Sequence, residues 1–238
     1  MRVSVLDVGS RTVRLVVADA AGGAPLPVHT AKWRLRLGER VEPGGRLDED
    51  AVRHLVRAVD EAAATAERWG ADEPLAFATA VVRDAPNRLD VLHAVRASTG
   101  VKLCTLPGEL EAELTFLGAR RWVGWQAGPL VLFDIGGGSL EVAFGRGRLP
   151  DFVASLPLGA NRLTHEFLHD EDPPSPQALK ALRRRVRHQL LERPRGGPAD
   201  RRSPGPPRPV RAPAPGAVRA APGQGPARTA ARRRTRPA

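Results

Sequence analysis

The chain has 238 residues, of which 42% are hydrophobic, so it can form one large or two small domains with a buried core. Its single cysteine, Cys104, excludes an intrachain disulfide, and no apolar run is long enough to cross a bilayer. The formal net charge is +11, from 37 basic and 26 acidic residues. Residues 193–238 contain 12 of the arginines and one aspartate, so the rest of the chain has 25 residues of each sign and is formally neutral. We therefore expect a cytoplasmic protein with no membrane partner and no nucleic-acid partner apart from its basic tail.

The first half of the chain predicts strands and helices in alternation. A helix over 47–70 has an apolar stripe, a cap at Asp48 and an end at Gly70. A later helix over 108–121 is expected to bury Leu110, Leu114 and Leu117. The other elements predicted here are three strands over 1–38, a strand over 75–80 that leads into 81–84, a helix from Pro86 to about Gly100, and a strand over 101–106.

The glycine-rich hairpin at 130–147 repeats a pattern found at the N-terminus. Asp134 and Ser139 flank three glycines between two strands, and Asp7 and Thr12 flank the first loop at the same spacing. No helix follows the glycines, so the pattern is not a dinucleotide fingerprint. Glycine loops let backbone N–H groups approach an anion closely. The two copies predict two related lobes, each of which offers a phosphate-binding loop to a shared cleft.

The remaining predicted elements lead from this hairpin to the tail. They are a crossing segment over 122–129, a strand over 152–156, a turn over 157–159, a helix over 160–168 and a last helix capped by Ser175. Residues 193–238 consist almost wholly of proline, arginine, alanine and glycine, which predicts disorder. A basic arm for nucleic acid is one interpretation, and a reading-frame slip in a GC-rich gene is the other. We favour the slip, because no aromatic residue or lysine interrupts the arginines.

Five blocks of the sequence resemble consecutive blocks of the exopolyphosphatase and guanosine pentaphosphate phosphohydrolase (Ppx/GppA) family. They are VLDVGSRTVRLVVAD, FATAVVRDAPNR, LPGELEAELTFLGARRWVGW, LFDIGGGSLEVAFG and SLPLGANRLTHEFL, in order from Met1 to about Leu191. The resemblance is closest to the short actinobacterial members. It implies the α/β actin-like ATPase fold, with a complete ribonuclease-H-like first lobe at 1–125, an incomplete second lobe at 126–192 and a disordered tail at 193–238.

The resemblance also implies a reaction, which is the hydrolysis of a terminal phosphoanhydride of polyphosphate or guanosine pentaphosphate with Mg²⁺. Glu111 matches the family's catalytic glutamate, and Arg83 matches its phosphate-contacting arginine. The acidic positions of the two hairpins, which we assign to metal binding, are Asp7, Asp134 and Glu141; for Glu141 a surface glutamate is nearly as well supported. The phosphate-binding positions are Gly9, Ser10, Arg11, Thr12, Gly136, Gly137, Gly138 and Ser139.

The sequence departs from the family pattern at several positions. Leu110 stands where a second acidic residue is usual, Arg11 where asparagine is usual and Ala80 where serine is common. The later glycine-rich segment that closes the second lobe is absent. Whether the chain is an enzyme is therefore left open. The alternatives are a catalytically weak sensor of polyphosphate or guanosine tetra- or pentaphosphate, and a sugar-kinase-like ATPase of the same fold; a homodimer is also left open.

One short motif suggests a different chemistry. His165, Glu166 and His169 match the zinc-binding pattern H-E-x-x-H. The predicted helix is short, proline follows within a turn, and the stretch falls in an ordinary block of the family. We therefore favour a plain helix over a zinc protease.

If the reading frame slips near Glu192, translation of the other two frames downstream should yield a folded continuation with strands, helices and a further glycine-rich loop. The restored protein should release phosphate from polyphosphate, and trypsin should cut the tail of the present chain first, because we expect its arginines to be exposed. Two frames that encode no such lobe, together with efficient hydrolysis by the present chain, would show that the tail is a genuine arm.

Overall fold

The computed structural model describes residues 1–20, 25–42, 44–168 and 172–191. These residues contain two β-sheets with helices packed against them. The N-terminal sheet has five strands in the order β3-β2-β1-β4-β5, and the C-terminal sheet has three in the order β6-β7-β8. The bounds of the strands are β1 Arg2–Val8, β2 Thr12–Asp19, β3 Leu26–Arg34, β4 Leu75–Ala78, β5 Leu103–Thr105, β6 Leu130–Ile135, β7 Leu140–Gly145 and β8 Phe152–Leu156.

Both sheets begin with the same antiparallel arrangement. In the N-terminal sheet β1, β2 and β3 are antiparallel neighbours, and β4 then pairs in parallel with the other edge of β1. In the C-terminal sheet β6, β7 and β8 repeat the antiparallel meander. The predicted pair of strand–loop–strand hairpins is therefore confirmed. The helices are α1 Glu49–Arg68, α2 Ala80–Arg83, α3 Arg88–Thr99, α4 Gly108–Val123, α5 Ala160–Phe167 and α6 Pro176–Leu191.

The main hydrophobic core lies between the N-terminal sheet and α1. The side chain of Asp48 accepts a hydrogen bond from the Ala51 amide and so caps α1 as predicted. The helix ends where Gly70 adopts a φ of +73°, a conformation that glycine adopts without strain. Leu55 and Val59 of α1 are fully buried with the inward-facing residues of β1 and β2, which are Leu6, Val8, Val13, Leu15 and Val17. The alternation of buried and exposed residues along these strands leaves the other face of the sheet accessible to solvent.

The predicted buried face of α4 is wrong. Leu110 and Leu114 are exposed, and Leu117 is half-buried. The buried residues are instead Gly108, Ala112, Phe116 and Arg120, which recur every four positions and form one stripe. Gly108 and Ala112, at the start of the helix, are small and let its backbone approach β7 and β8. The spacing of the three leucines did not show which side of the helix the sheet covers.

Two further boundaries differ from the prediction. The strand predicted over 75–80 ends at Ala78, and Ala80–Arg83 forms a single helical turn. The helix expected to begin at Pro86 begins at Arg88. The remaining predicted elements are confirmed, including the cap that Ser175 makes to the Ala178 amide. The lobe boundaries stay predictions, and the tail at 193–238 lies outside the described residues. No helix in the described part of the chain is long and apolar enough to span a membrane.

A buried arginine links the end of α4 to the C-terminal sheet. Arg120 has no exposed surface, and its guanidinium lies 5.4 Å from the ring centre of Phe116. It donates hydrogen bonds to the carbonyls of Gly128 at 2.7 Å and Gly145 at 2.8 Å. A buried cation is costly unless its hydrogen bonds are made, so the two carbonyls are essential to its stability.

We predict that Arg120→Ala lowers the free energy of unfolding by about 3 kcal/mol, because it removes two charge-assisted hydrogen bonds and leaves a cavity. Urea denaturation followed by circular dichroism would measure the loss. Arg121→Ala, at the exposed neighbouring position, is the matched control and should change stability by less than about 0.5 kcal/mol. Equal unfolding midpoints for the two variants would contradict the proposed role of Arg120.

Candidate functional site

The two glycine loops form the same turn. The amide of Gly9 donates to the carbonyl of Thr12 at 2.9 Å, and the amide of Gly136 donates to the carbonyl of Ser139 at 2.9 Å. In each loop the turn joins a strand that ends near an aspartate to an antiparallel partner. The matched spacing seen in the sequence therefore corresponds to matched backbone geometry.

The loops also lie against each other, and glycine makes this contact possible. A Cβ atom at Gly137 would lie 2.7 Å from the Cβ of Ser10, and one at Gly138 would lie 2.8 Å from the Cβ of Ala80. Both distances are shorter than a Cβ contact tolerates. The structure thus brings Ser10 of the first loop against Gly137 and Gly138 of the second, whereas Arg11 and Thr12 line a different cavity.

Helix α5 packs directly on the second loop. The amides of Ala160 and Arg162 donate to the carbonyls of Gly136 at 2.9 Å and Gly137 at 3.1 Å. A Cβ at Gly159 would lie 2.3 Å from the backbone of the loop, so only glycine fits there. These bonds engage loop carbonyls, whereas the amides of Gly137, Gly138 and Ser139 donate to no acceptor in the described part of the chain. Such amides can receive an anion.

Glu111 and Arg83 form an ion pair beside the second loop. Nη1 of Arg83 donates to Oε2 of Glu111 at 2.8 Å and to the Leu106 carbonyl at 3.2 Å. Glu111 lies in the first turn of α4, where the helix dipole favours a carboxylate, and Arg83 ends α2. A cavity of about 230 Å³ is lined by Arg83 together with Ser139 and Ser155. The predicted catalytic pair therefore lies next to the predicted second phosphate loop.

The protonation of Glu111 is strongly perturbed. Burial raises its pKa to about 7, the charges of Glu141 and Asp7 act in the same direction, and the hydrogen bond and charge of Arg83 oppose them. Glu141 is only 1% exposed, so its interpretation as a surface glutamate is wrong. The hydroxyl of Ser155 donates to Oε1 of Glu141 at 2.9 Å. A carboxylate whose pKa lies near neutral pH can both accept and release a proton under physiological conditions.

Two site residues were missed by the sequence reasoning. Asp84 accepts hydrogen bonds from Nε of Arg83 at 3.1 Å and from Nη2 of Arg162 at 2.7 Å. This chain of charges connects α2 to α5 and orients the guanidinium that holds Glu111. Both residues belong to sequence blocks that already indicated the site, but the pairing across 78 positions had no signal in the sequence.

The two hairpin aspartates reach solvent. Asp7 and Asp134 are both exposed, near the ends of β1 and β6. Surrounding protein atoms still raise the pKa of Asp7, while Arg14 lowers it and the charge of Asp134 raises it. No group of three histidine, cysteine, aspartate or glutamate side chains in the described part of the chain encloses a metal position. His169 of the zinc-like motif lies outside the described residues.

Comparison with known proteins places this cleft in a family. A model of the Ppx/GppA phosphatase family matches residues 16–196, which is most of the chain. The chain belongs to the Ppx/GppA phosphatase family. It is 74% identical over 193 residues to an uncharacterized protein of Streptomyces coelicolor and 49% identical over 193 residues to exopolyphosphatase 1 of Mycobacterium tuberculosis. Each alignment covers 81% of this chain but only 57% and 56% of the relative, so the Ppx/GppA chain spans a little over half the length of these proteins.

The fold expected from the resemblance is also confirmed. The crystal structure of the Aquifex aeolicus Ppx/GppA family member is 29% identical, with a TM-score of 0.65 over 80% of this chain and 61% of that one. The Ppx/GppA chain thus has the mixed α/β actin-like ATPase fold. The family match ends four residues beyond Glu192, near the point at which the composition of the chain changes.

The contact between α4 and β8 depends on a glycine. A Cβ at Gly108 would lie 2.2 Å from Oγ and 2.4 Å from Cβ of Ser155. We predict that Gly108→Ala forces α4 away from β8 and lowers stability by about 1–3 kcal/mol. Gly118→Ala is the matched control in the same helix, because nothing lies within 4 Å of its Cβ position, and it should stabilise by up to about 1 kcal/mol.

Thermal unfolding of both variants would test this contact. Adding Ser155→Gly to Gly108→Ala should recover part of the lost stability, since it removes both clashing atoms. A Gly108→Ala variant as stable as Gly118→Ala would contradict the close packing.

The raised pKa of Glu111 predicts a pH-dependent stability. Its value rises from 4.5 in the unfolded chain to about 7 in the folded one, so the folded state binds the extra proton. The stabilising contribution is present below pH 4.5 and is lost as the pH rises towards 7, with a total near 3 kcal/mol. Glu111→Gln should remove this loss, and urea unfolding at several pH values would detect it. Parallel pH profiles for Glu111→Gln and the wild type would show that the carboxyl is not perturbed.

Proposed function

We propose that this chain carries the catalytic cleft of a phosphohydrolase that releases terminal phosphate from inorganic polyphosphate, with guanosine pentaphosphate as the alternative substrate. The observation that supports it best is the pairing of Glu111 with Arg83 at 2.8 Å beside the second glycine loop. In this arrangement the Arg83 guanidinium, which is bonded to Glu111, lines one small cavity together with Ser139, whose backbone amide is unused. Phosphoryl transfer needs little beyond such positioning and charge stabilisation.

The terminal phosphate would be bound by donors from both hairpins. The amides of Gly137, Gly138 and Ser139 are available, and the hydroxyls of Ser10 and Thr12 belong to the facing loop. Arg83 would contact phosphoryl oxygens with donors that Glu111 does not occupy, because a guanidinium has five. The ion pair with Asp84 would hold this guanidinium in place as charge develops on the phosphate.

Glu111 would act on the attacking water. Its carboxylate accepts a proton while the water oxygen bonds to the terminal phosphorus, and the bridging P–O bond breaks with its electrons leaving on the shortened chain. With a pKa of about 7, roughly half of the molecules would hold the required carboxylate at neutral pH. The positive charge of Arg83 favours the carboxylate form of Glu111, and the negative charge of Glu141 disfavours it.

Mg²⁺ fits this cleft as a partner of the substrate. The ion is commonly held by one or two carboxylates together with substrate phosphates, so a closed cage of three side chains is not required. Asp7 and Asp134 are the solvent-accessible carboxylates that would hold it. When bound, Mg²⁺ would neutralise charge on the phosphate oxygens. Glu141 is buried and bonded to Ser155, so a role in setting the pKa of Glu111 suits it better than metal ligation.

A polyphosphate sensor is the second candidate. It is supported by a departure from the family pattern in the catalytic block, where Leu110 stands in place of a second acidic residue. A cleft can bind a phosphate chain without the full set of groups that hydrolysis needs. Both candidates predict that the cleft binds polyphosphate, but only the phosphohydrolase releases phosphate from it.

Phosphate release from polyphosphate in the presence of Mg²⁺ separates these candidates. We expect Glu111→Gln to lower turnover by about 10²- to 10⁴-fold while anion affinity stays nearly constant, because the lost interaction belongs to the transition state. The wild-type rate should rise with pH through an inflection near 7, where the Glu111 carboxyl ionises.

Arg83→Ala should weaken both binding and turnover.

Glu113→Gln, two positions along the same helix, is the matched control and should keep wild-type turnover. Unchanged turnover in Glu111→Gln would discard its catalytic role. Tight binding by the wild type with release no faster than that of Glu111→Gln would favour the sensor. Comparing polyphosphate with guanosine pentaphosphate at equal enzyme concentration would identify the better substrate.

A further inference from the structure

The exposed face of the N-terminal sheet carries a row of basic side chains that starts beside the cleft. In the strand register Asp7 of β1 lies opposite Arg14 of β2, which lies opposite Lys32 of β3. Two residues further along these strands, Thr12 lies opposite Arg34. All three cations are exposed, so they share the face that is not covered by α1.

Two loop arginines extend this row. The amides of Leu35 and Arg36 both donate to the Arg11 carbonyl, at 2.9 and 3.1 Å, so the loop after β3 is bonded to the first glycine loop. Arg36 has a φ of +53°, a left-handed conformation that costs energy for any residue except glycine. The bonded backbone thus holds Arg11 and Arg36 at the end of the row. We call Arg11, Arg14, Lys32, Arg34 and Arg36 the basic row.

All members of the basic row except Arg14 line one cavity, whose described lining residues include no carboxylate. The cavity has a volume of about 470 Å³ and its lining residues are Arg11, Thr12, Lys32, Arg34 and Arg36. Within the described ranges, Arg11, Lys32 and Arg34 have no carboxylate within 4.0 Å, and Arg36 has only Glu39 at 3.6 Å. Like charges on directly opposed strand residues such as Arg14 and Lys32 destabilise a sheet. In the described ranges Asp7 lies opposite Arg14 and Glu39 lies beside Arg36, so five cations face two carboxylates, and this excess of positive charge favours an external anion.

We propose that the basic row binds the distal phosphates of a linear polyphosphate whose terminal phosphate occupies the cleft. The inference rests on the proposed function, because the row begins at the loop that would hold the terminal phosphate. Exposed cations at alternate positions of β3, with Arg14 on the neighbouring strand, suit an unbranched chain with one charge per unit, and Arg11 joins the first loop to the row. Single-stranded nucleic acid is disfavoured, since no aromatic ring lines this cavity for base stacking.

Lysine footprinting tests the proposal at one residue. The chain contains three lysines, Lys32, Lys102 and Lys180, and all are exposed. Long-chain inorganic polyphosphate should protect Lys32 of the full chain from an amine-acetylating reagent, whereas tripolyphosphate, which reaches only the cleft, should not. Lys102 should stay reactive under both conditions. Lys32 that reacts equally with and without long-chain polyphosphate would overturn the proposal, as would protection confined to Lys180.

A charge-matched pair of variants tests the effect on affinity. Lys32→Gln with Arg34→Gln should weaken long-chain polyphosphate binding about tenfold and reduce the slope of log affinity against log salt by between one and two. Arg57→Gln with Arg88→Gln removes the same charge from exposed helix positions and should keep wild-type values. Equal affinities for the two pairs would overturn the proposal. An oligonucleotide that protects Lys32 as well as polyphosphate does, at equal phosphate concentration, would also overturn it.

These measurements separate the row from the catalytic proposal. Protection of Lys32 in a chain that releases no phosphate would support the row and reject hydrolysis. Phosphate release by a chain in which polyphosphate does not protect Lys32 would support hydrolysis and reject the basic row. Tripolyphosphate affinity should be equal in the Lys32/Arg34 variant and the wild type, because the cleft is unchanged.

Discussion

The close approach of two backbone turns is the constraint on which the rest of this structure depends. Gly137 and Gly138 face Ser10 and Ala80 across a gap that leaves no room for one extra carbon atom. Gly159 brings the start of α5 onto the same loop in the same way. Because Gly137 and Gly138 carry no side chain, the second loop can lie directly against Ser10 of the first loop and against Ala80 of α2. A methyl group at any of these glycines would move a whole element.

Charge organises the cleft that the glycines create. The charge of Glu141 opposes ionisation of Glu111, while Arg83 and Arg162 both donate hydrogen bonds to the carboxylate of Asp84. Concentrating carboxylates in a partly buried space is unfavourable for folding, and such perturbed groups cluster at functional sites. Arg120 shows the opposite case, because two carbonyls accept hydrogen bonds from its Nη1 and Nη2, although its buried Nε has no partner among the described residues, and it serves the packing of α4.

The two sheets differ in how far they are covered. In the N-terminal sheet β1 has a strand on each side, and α1 covers the core face. In the C-terminal sheet β6 occupies the equivalent position, but within the described ranges it pairs only with β7, and Val131, Phe133 and Ile135 are exposed. The chain also spans little more than half of its exopolyphosphatase relative. The residues proposed as catalytic nevertheless come from elements that the described ranges contain.

Local spacing and caps in the sequence predicted the hairpins, most helices and the two loops, and the family resemblance singled out Glu111 and Arg83 but not their ion pair. The sequence did not determine which stripe of α4 is buried, since Gly108 and Ala112 are selected by the proximity of β8 and carry no strong local signal. Nor did it show that Glu141 is buried or that Asp84 joins Arg83 to Arg162. Those features arise between residues far apart in the chain, where burial and charge pairing are decided by tertiary contact alone.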